Sequence, residues 1–301
     1  MLSVEEAIAR VPQFAGAKEV KTVRLPGGIT NENIRVIVRG ESYVLRLPGA
    51  NAELLGINRE HEYAATLAAA SVGIAPEVVH FIRPEGCMVT RFIESRALSL
   101  EEMRAPGNIL RIAGTLRRIH SMGPIPGVFS VFRTVRSYTE ITRQYGVSLP
   151  SGVSELVERM AEIEAALLKN PSPDRPCHND LLSGNFLDDG NIRVLDWEYS
   201  GMGDIFFDLA NFCVNHGLAD EEEARLLRAY FGSVTAENRA RLELMKIMSD
   251  FREAMWGMLQ SGISALEFDF LGYAQRHFAR MRKNLNDPLY TQFLGEAGGN
   301  A

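Results

Sequence analysis

Three oxygen-bearing side chains in the second half of the chain have types and spacing suited to phosphoryl transfer. Asp180 and Asn185 lie five residues apart in the segment CHNDLLSGN, residues 177–185, and Asp196 follows eleven residues later, just past an apolar run. Phosphoryl transfer requires an oriented hydroxyl and a metal that neutralises developing charge. A carboxylate can accept the hydroxyl proton, while amide and carboxylate oxygens are ligands that Mg²⁺ prefers. These residues therefore predict a Mg²⁺-dependent site.

A small hairpin is predicted to bring these groups together. Two strand-like runs, 185–188 and 192–195, flank the turn dipeptide Asp189-Gly190. Asn185 then lies at the start of the first run and Asp196 at the end of the second. The two proposed metal ligands are therefore predicted to be neighbours.

The first 92 residues are rich in strand signals. Alternating or β-branched runs predict strands at 19–25, 32–39, 42–47, 77–83 and 87–92, separated by glycine and proline turns. A single helix interrupts them, because apolar residues recur at helical spacing from Ile57 until Gly73 and Pro76. The pattern predicts an antiparallel five-stranded sheet with one helix.

Helical periodicity dominates after Phe92. It predicts helices at 98–120, 134–145, 153–168, 221–231, 236–260 and 265–284. The fold class is therefore α+β with two lobes, residues 1–94 and 95–301, and the boundary between them falls within 92–97.

The composition of the chain argues against a nucleic-acid-binding or membrane-spanning protein. The 301 residues are 46% hydrophobic and carry a formal net charge of −6, so there is no basic excess to attract nucleic acid. Three cysteines without metal-ligand spacing indicate a reducing compartment. The N-terminus has no signal-peptide pattern and the most apolar stretch, 63–75, is too short to span a membrane. We expect a cytoplasmic protein that does not bind nucleic acid.

The run His178-x-Asp180-x-x-x-x-Asn185, followed by Asp196, resembles the catalytic loop and metal-binding aspartate of the protein-kinase-like fold. The form is that of aminoglycoside phosphotransferases and choline/ethanolamine kinases. The resemblance implies that Asp180 is the catalytic base, that Asn185 and Asp196 bind Mg²⁺ and that ATP is the phosphoryl donor. His178 is expected to be a neutral scaffold residue, and Asp208 to hold the loop through its backbone.

The resemblance also implies a nucleotide site in the first lobe. The glycine turn before Thr30 and Asn31 would approach the phosphates, and Arg46 occupies the place where the family commonly has a phosphate-binding lysine. Its expected carboxylate partner is Glu60, with Glu62 as the competing choice. Adenine is expected against the connector, at the backbone of two residues, Arg91 and Ile93.

Three aromatic residues are predicted to hold the phosphoryl acceptor. The resemblance to choline/ethanolamine kinases continues through two helices in the last fifty residues, and an aromatic cage suits a quaternary ammonium. The proposed cage is Tyr199, Trp256 and Tyr273. One departure is Asn215-His216, where the family tends to have an acidic residue. Four other acidic residues are candidate substitutes for it, namely Glu198, Asp204, Asp250 and Asp269.

Three functions are compatible with these residues. The favoured one is an ATP- and Mg²⁺-dependent kinase of a small amino alcohol, choline or ethanolamine. The second is a kinase of another alcohol such as an aminoglycoside, thiamine or a sugar, although the second lobe has no dense acidic run beyond Asp220–Glu223, which suits a helix start. The third is a silent nucleotide-binding scaffold.

Overall fold

A five-stranded antiparallel sheet forms most of the N-terminal part. The structure, a computed structural model, describes residues 2–26 and 31–299, so Thr30 and the glycine turn before it lie outside the described residues. The strands are β1 (Val20–Arg24), β2 (Asn31–Val38), β3 (Glu41–Pro48), β4 (Val78–Ile82) and β5 (Cys87–Arg91), in the order β1-β2-β3-β5-β4. All five predicted strands are confirmed within two residues at each end.

Side-chain alternation gives this sheet its own core. Burial alternates along β2 from Ile34 and along β3 from Tyr43, and the buried residues pack with Ala7, Val11 and Phe14. A short helix, α1 (Val4–Ala9), covers this face and was not predicted. Its signal was present, because Ser3 and Glu6 form a reciprocal capping box at its N-terminus.

The predicted helix of the first lobe is α2 (Arg59–Ser71), which begins at an Asn58 cap. Its buried Ala65 and Ala69 do not join the core of the sheet. They belong instead to the large core formed by the C-terminal helices. Side chains on α2 are therefore held between the sheet and the second lobe.

The C-terminal part is helical. Its helices are α3 (Leu100–Arg104), α4 (Pro106–His120), α5 (Val131–Gln144), α6 (Val153–Lys169), α7 (Ile205–His216), α8 (Asp220–Phe231), α9 (Ala236–Ile263), α10 (Phe270–Leu285) and α11 (Tyr290–Ala297). The predicted helix 98–120 is divided at Ala105-Pro106, where the proline starts a new helix. The α+β class is confirmed.

Helix α7 was missing from the predicted helices, and so was α11. Almost every side chain of α7 is buried, so it shows no polar face and no amphipathic period. It passes through the centre of the second lobe and contacts α9 extensively. A helix that is buried on all sides therefore gives no periodic signal in the sequence from which it could be predicted.

Short strands surround the predicted catalytic segment. The hairpin is confirmed as β8 (Phe186–Asp188) and β9 (Ile192–Val194), and β6 (Arg96–Ala97) pairs with β8. A second pair, β7 (Arg175–Cys177) with β10 (Gly201–Gly203), encloses the segment from the other side.

The predicted division of the chain into lobes at residues 94 and 95 stays a prediction. Among the described residues, no helix combines the length and apolarity needed to cross a bilayer.

Candidate active site

Buried side chains of α7 hold the catalytic loop by its backbone. Asp208 accepts hydrogen bonds from the backbone N–H groups of His178 (2.8 Å) and Asn179 (2.6 Å), and from His120 Nε2 (3.0 Å). Burial acts to raise the pKa of Asp208, but the hydrogen bond and charge of His120 hold it below its ordinary value. Asn211, one turn later, accepts from the Leu181 N–H at 2.6 Å. The loop is therefore fixed by a charged acceptor, as expected for Asp208.

His178 is a scaffold residue, as expected. It is fully buried, and its Nε2 lies 2.9 Å from the Leu195 carbonyl oxygen while its Nδ1 faces the Asp180 N–H at 3.2 Å. This pattern assigns the proton to Nε2, since Nδ1 must accept. Burial lowers the pKa of His178, so the ring is neutral.

Asp180 lies at the bottom of a cleft between the lobes. Its Oδ2 is 3.3 Å from Asn185 Nδ2, and its Oδ1 is 3.3 Å from Arg252 Nη1. Burial is the main cause that raises its pKa to about 7, against the opposing charge of Arg252. The carboxylate is thus oriented from both sides by side-chain donors.

Asn185 and Asp196 are brought together by the hairpin. The Leu195 N–H donates to the Asn185 carbonyl at 2.8 Å, and Asp196 comes next, with a positive φ of 65° that turns its side chain out of the strand path. Asn185 Nδ2 donates to the Asp180 carbonyl at 2.8 Å, so its Oδ1 is directed away from this bond. Burial is the main cause that raises the pKa of Asp196 to about 6.

This pair of residues fits a magnesium ion. Asn185 presents an amide oxygen and Asp196 a carboxylate, of which only Oδ1 accepts a hydrogen bond from the described residues. Both residues line the same cleft. Hard oxygen donors with room for water and phosphate ligands are the usual Mg²⁺ environment.

Arg46 pairs with Glu62, so the predicted partner Glu60 is wrong. Arg46 Nη1 lies 2.7 Å from Glu62, and its Nη2 contacts Asp196 Oδ1 at 2.5 Å and Glu198 at 2.9 Å. Glu60 instead forms an exposed ion pair with Arg83 at 2.7 Å. The two glutamates are two positions apart on the helix, which places them about 200° apart around its axis. Only Glu62 faces the sheet and the cleft.

Asn31 is part of the same ion-pair cluster. Its Nδ2 donates to Glu198 at 2.8 Å, and its Oδ1 accepts from Arg59 at 2.8 Å. Arg59 also contacts Glu62 (2.6 Å) and Glu198 (2.9 Å). The Asn31 amide therefore serves this cluster, and its predicted contact with nucleotide stays a prediction.

The connector residues line the outer end of the cleft, which has a volume of about 790 Å³. Arg91 and Ile93 both border it, and their predicted contact with adenine stays a prediction. The Arg91 N–H donates to the Glu77 carbonyl at 2.9 Å. What Arg91 can offer a nucleotide from its backbone is therefore its carbonyl oxygen.

The three predicted cage residues line the inner end of the same cleft, together with Asp180. Trp256 packs edge to face on Tyr273, with 5.6 Å between ring centroids. The guanidinium of Arg252 lies over the Tyr199 ring, 4.4 Å from its centroid. The structure thus brings the three residues into one wall, but an internal cation already covers one of the rings.

A buried carboxylate, Glu253, shares this wall. Its Oε2 accepts from the Tyr273 hydroxyl at 2.7 Å, and its Oε1 accepts from Arg252. Hydrogen bonds and charge from Arg252, with help from His277 and Tyr273, keep the pKa of Glu253 low although burial acts to raise it. The carboxylate is therefore charged inside the cleft.

The departure at Asn215-His216 does not concern the inner end of the cleft. His216 is buried on α7 with its ring 4.3 Å from that of Phe212, and neither residue borders the cleft. The acidic residues considered as substitutes are engaged elsewhere: Asp204 with Arg241, Asp250 with His277 and Arg280, Asp269 as a helix cap, and Glu198 in the ion-pair cluster.

Sequence reasoning missed three charged residues of the site, Arg59, Arg252 and Glu253. It gave Glu62 only as the competing partner of Arg46, and Glu198 only as a substitute acid at the acceptor. Arg252-Glu253 carried a usable signal, since two adjacent charges within an apolar stretch of a long helix must find buried partners. The others resemble ordinary surface charges in the sequence.

Comparison with known proteins identifies the family. The sequence pattern of the phosphotransferase enzyme family matches residues 21–244. A crystal structure of a choline/ethanolamine kinase family protein from Mesorhizobium loti superimposes with a TM-score of 0.84 at 33% identity, covering 98% of this chain and 99% of that one. The chain belongs to the choline/ethanolamine kinase family of phosphotransferases.

Curated relatives of this choline/ethanolamine kinase family member agree. Protein LicA of Haemophilus influenzae is 29% identical over 242 residues, covering 76% of this chain and 70% of LicA. Ethanolamine kinase 1 of Mus musculus is 29% identical over 304 residues, covering 87% of this chain and 83% of that protein. The protein is thus a kinase that transfers phosphate to an alcohol, and its bilobal protein-kinase-like fold is confirmed.

Proposed function

We propose that this family member uses Mg²⁺ and ATP to phosphorylate the hydroxyl of a small amino alcohol, choline or ethanolamine. The observation that carries the proposal is the position of Asp180. It lies between the Asn185–Asp196 oxygen pair on one side and the wall of Tyr199, Trp256, Tyr273 and Glu253 on the other. A substrate hydroxyl that is hydrogen-bonded to Asp180 would have the ATP phosphates on one side, and the substrate ammonium would have a cation-binding surface on the other.

Asp180 is proposed to orient the attacking hydroxyl and to accept its proton. Asn185 donates to one of its carboxylate oxygens and Arg252 donates to the other, so the orientation of the carboxylate is favoured before the substrate binds. Asn185 and Asp196 would hold Mg²⁺, which when bound supplies positive charge to the phosphates. Arg46, tied to Asp196, adds a second positive charge at the same end of the cleft.

The donor is proposed to lie in the outer cleft. The apolar residues Val44, Met88 and Leu195 line it, beside the connector at Arg91 and Ile93. An adenine ring would pack on these side chains, and its triphosphate would point toward Arg46. All three cysteines are buried and unpaired, which supports the further proposal of a reducing, cytoplasmic location.

A panel of acceptors tests this function. With Mg·ATP, we expect turnover with ethanolamine or choline to exceed that with thiamine or kanamycin-like amines. Asp180→Asn should lower kcat by about 10²- to 10⁴-fold because it removes the base. Its matched control is Asp220→Asn on α8, whose side chain is 90% exposed and where kcat should be unchanged.

Two results would contradict the proposal. Preferential turnover of thiamine or an aminoglycoside would assign another acceptor. Full activity of Asp180→Asn with the best acceptor would show that another group is the base. Binding of ATP by both variants, measured by calorimetry, separates loss of chemistry from loss of fold.

A further inference from the structure

The acceptor end of the cleft does not have the arrangement that a quaternary ammonium needs. Methylated ammonium groups are held by aromatic faces around a space, since they have no N–H to donate. The Tyr199 face on this side is covered by the Arg252 guanidinium, 4.4 Å from the ring centroid. The guanidinium of Arg252 therefore takes the position over this ring that a substrate ammonium would need.

The other two rings are packed against each other. Trp256 and Tyr273 have centroids 5.6 Å apart at an angle of 69°, which is ordinary contact distance between aromatic rings. Trp256 also contacts Phe270 at 5.8 Å and is only 8% exposed. No space for a trimethylammonium group lies between these two rings.

The acceptor end instead offers a charged hydrogen-bond acceptor. Glu253 is 2% exposed and is oriented by Arg252 at Oε1 and by the Tyr273 hydroxyl at Oε2. Each carboxylate oxygen has a second lone pair. An ammonium with N–H groups can donate to these positions, whereas a quaternary ammonium cannot.

The charges and spacing of Asp180, Arg252 and Glu253 suit a short amino alcohol. A single nitrogen of Arg252, Nη1, contacts both Asp180 and Glu253. Two carboxylates around one guanidinium have a net charge of −1, which one bound ammonium neutralises. Because they share one nitrogen, the carboxylates are also near each other, which suits a hydroxyl and an ammonium separated by two carbons.

We propose that Glu253 determines acceptor selectivity by binding the N–H groups of the substrate ammonium, so that the enzyme takes a primary amino alcohol of the ethanolamine type in preference to choline. This inference rests on the proposed function and goes beyond it. Tyr273 acts as a positioning residue for Glu253. Arg252 keeps the carboxylate charged and covers Tyr199.

A methylation series tests the proposal. kcat/KM with Mg·ATP is measured for ethanolamine, N-methylethanolamine, N,N-dimethylethanolamine and choline. We expect it to fall along the series, with choline, which has no N–H, at least about tenfold below ethanolamine. Glu253→Gln should lower kcat/KM for ethanolamine about 10- to 100-fold and change that for choline by less than about threefold.

Two further variants keep the test independent of folding. Tyr273→Phe retains the ring and removes the hydroxyl, so it should raise KM for ethanolamine more than for choline. Glu267→Gln makes the same chemical change at an exposed position between α9 and α10 and should leave the series unchanged. Melting temperature and ATP affinity report whether each variant is folded.

The outcomes are distinguishable. Choline turned over as well as or better than ethanolamine by the native enzyme overturns the inference and leaves the proposed function standing. A Glu253→Gln variant whose kcat/KM falls by the same factor with all four acceptors also overturns the inference. No turnover with any of the four acceptors, in a protein that binds ATP, overturns both the inference and the proposed function.

Discussion

Arg46 and Glu62 show how the position of a glutamate around a helix decides which arginine it pairs with. Arg46 is buried among three carboxylates, whose charges hold its pKa above the ordinary value although burial acts to lower it. Glu62 is 3% exposed, whereas Glu60 pairs with Arg83 on the surface. Removing one partner from a buried ion pair costs about 3–5 kcal/mol, while an exposed pair contributes about 0–1 kcal/mol.

Glu62→Gln and Glu60→Gln are therefore expected to differ. Glu62→Gln should lower the free energy of unfolding by at least about 2 kcal/mol and raise the KM for ATP several-fold, since Arg46 loses its anchor. Glu60→Gln should stay within about 1 kcal/mol of the native protein. Urea unfolding and ATP titration measure both, and similar effects of the two substitutions would show that Glu62 does not anchor Arg46.

At the scale of elements, α7 and the catalytic loop form one unit. The loop includes Asn179 with φ of 67°, a left-handed conformation that is costly without support. That support comes from Asp208, which accepts the N–H groups of His178 and Asn179, and from Asn211, which accepts that of Leu181. The loop geometry is therefore set by a helix that follows it by some thirty residues.

Asp208→Asn tests this unit. An amide nitrogen in place of one carboxylate oxygen would face a backbone N–H, leaving a buried donor unpaired at a cost of about 1–3 kcal/mol. We expect a lower free energy of unfolding and a lower kcat with little change in the KM for ATP, because the proposed base Asp180 is displaced while the outer cleft is unaffected.

The matched control for Asp208→Asn is Asp220→Asn on α8, whose side chain is 90% exposed. This variant should unfold and turn over like the native protein. A kcat for Asp208→Asn that equals that of Asp220→Asn would contradict the positioning role.

At the scale of the whole molecule, the ion-pair cluster joins the two parts of the chain. Arg46 and Arg59, from the first part, contact Asp196 and Glu198, from the second. The large core likewise includes α2 together with the C-terminal helices. A nucleotide bound in the cleft would add contacts to both parts and stabilise the folded state by mass action.

ADP should therefore raise the melting temperature in a Mg²⁺-dependent way. At about 100 times its dissociation constant the ligand contributes about 2.7 kcal/mol, a shift of a few degrees for a chain of this size. EDTA should reduce the shift in the native protein. Asn185→Ala should lose the Mg²⁺-dependent part, whereas Asn191→Ala in the exposed turn should retain it. An equal shift with and without EDTA would contradict Mg²⁺ binding at Asn185 and Asp196.

Sequence alone predicted the proposed reaction centre of this protein. Asp180, Asn185 and Asp196 are close along the chain, and the turn Asp189-Gly190 is enough to bring the last two together. The five strands of the sheet were also predictable, because alternation and turn residues are local signals. Local spacing therefore sufficed wherever the partners lie within one hairpin or one strand.

Only the tertiary structure decided which charges meet. Glu62 rather than Glu60 pairs with Arg46. Arg252 and Glu253 lie at the inner end of the cleft, beside the three residues of the predicted aromatic cage. These contacts join residues up to about 150 positions apart, and their geometry depends on helix rotation and on the burial of α7 and α9. Pairing of buried charges is set by packing between elements, which no local pattern in the chain encodes.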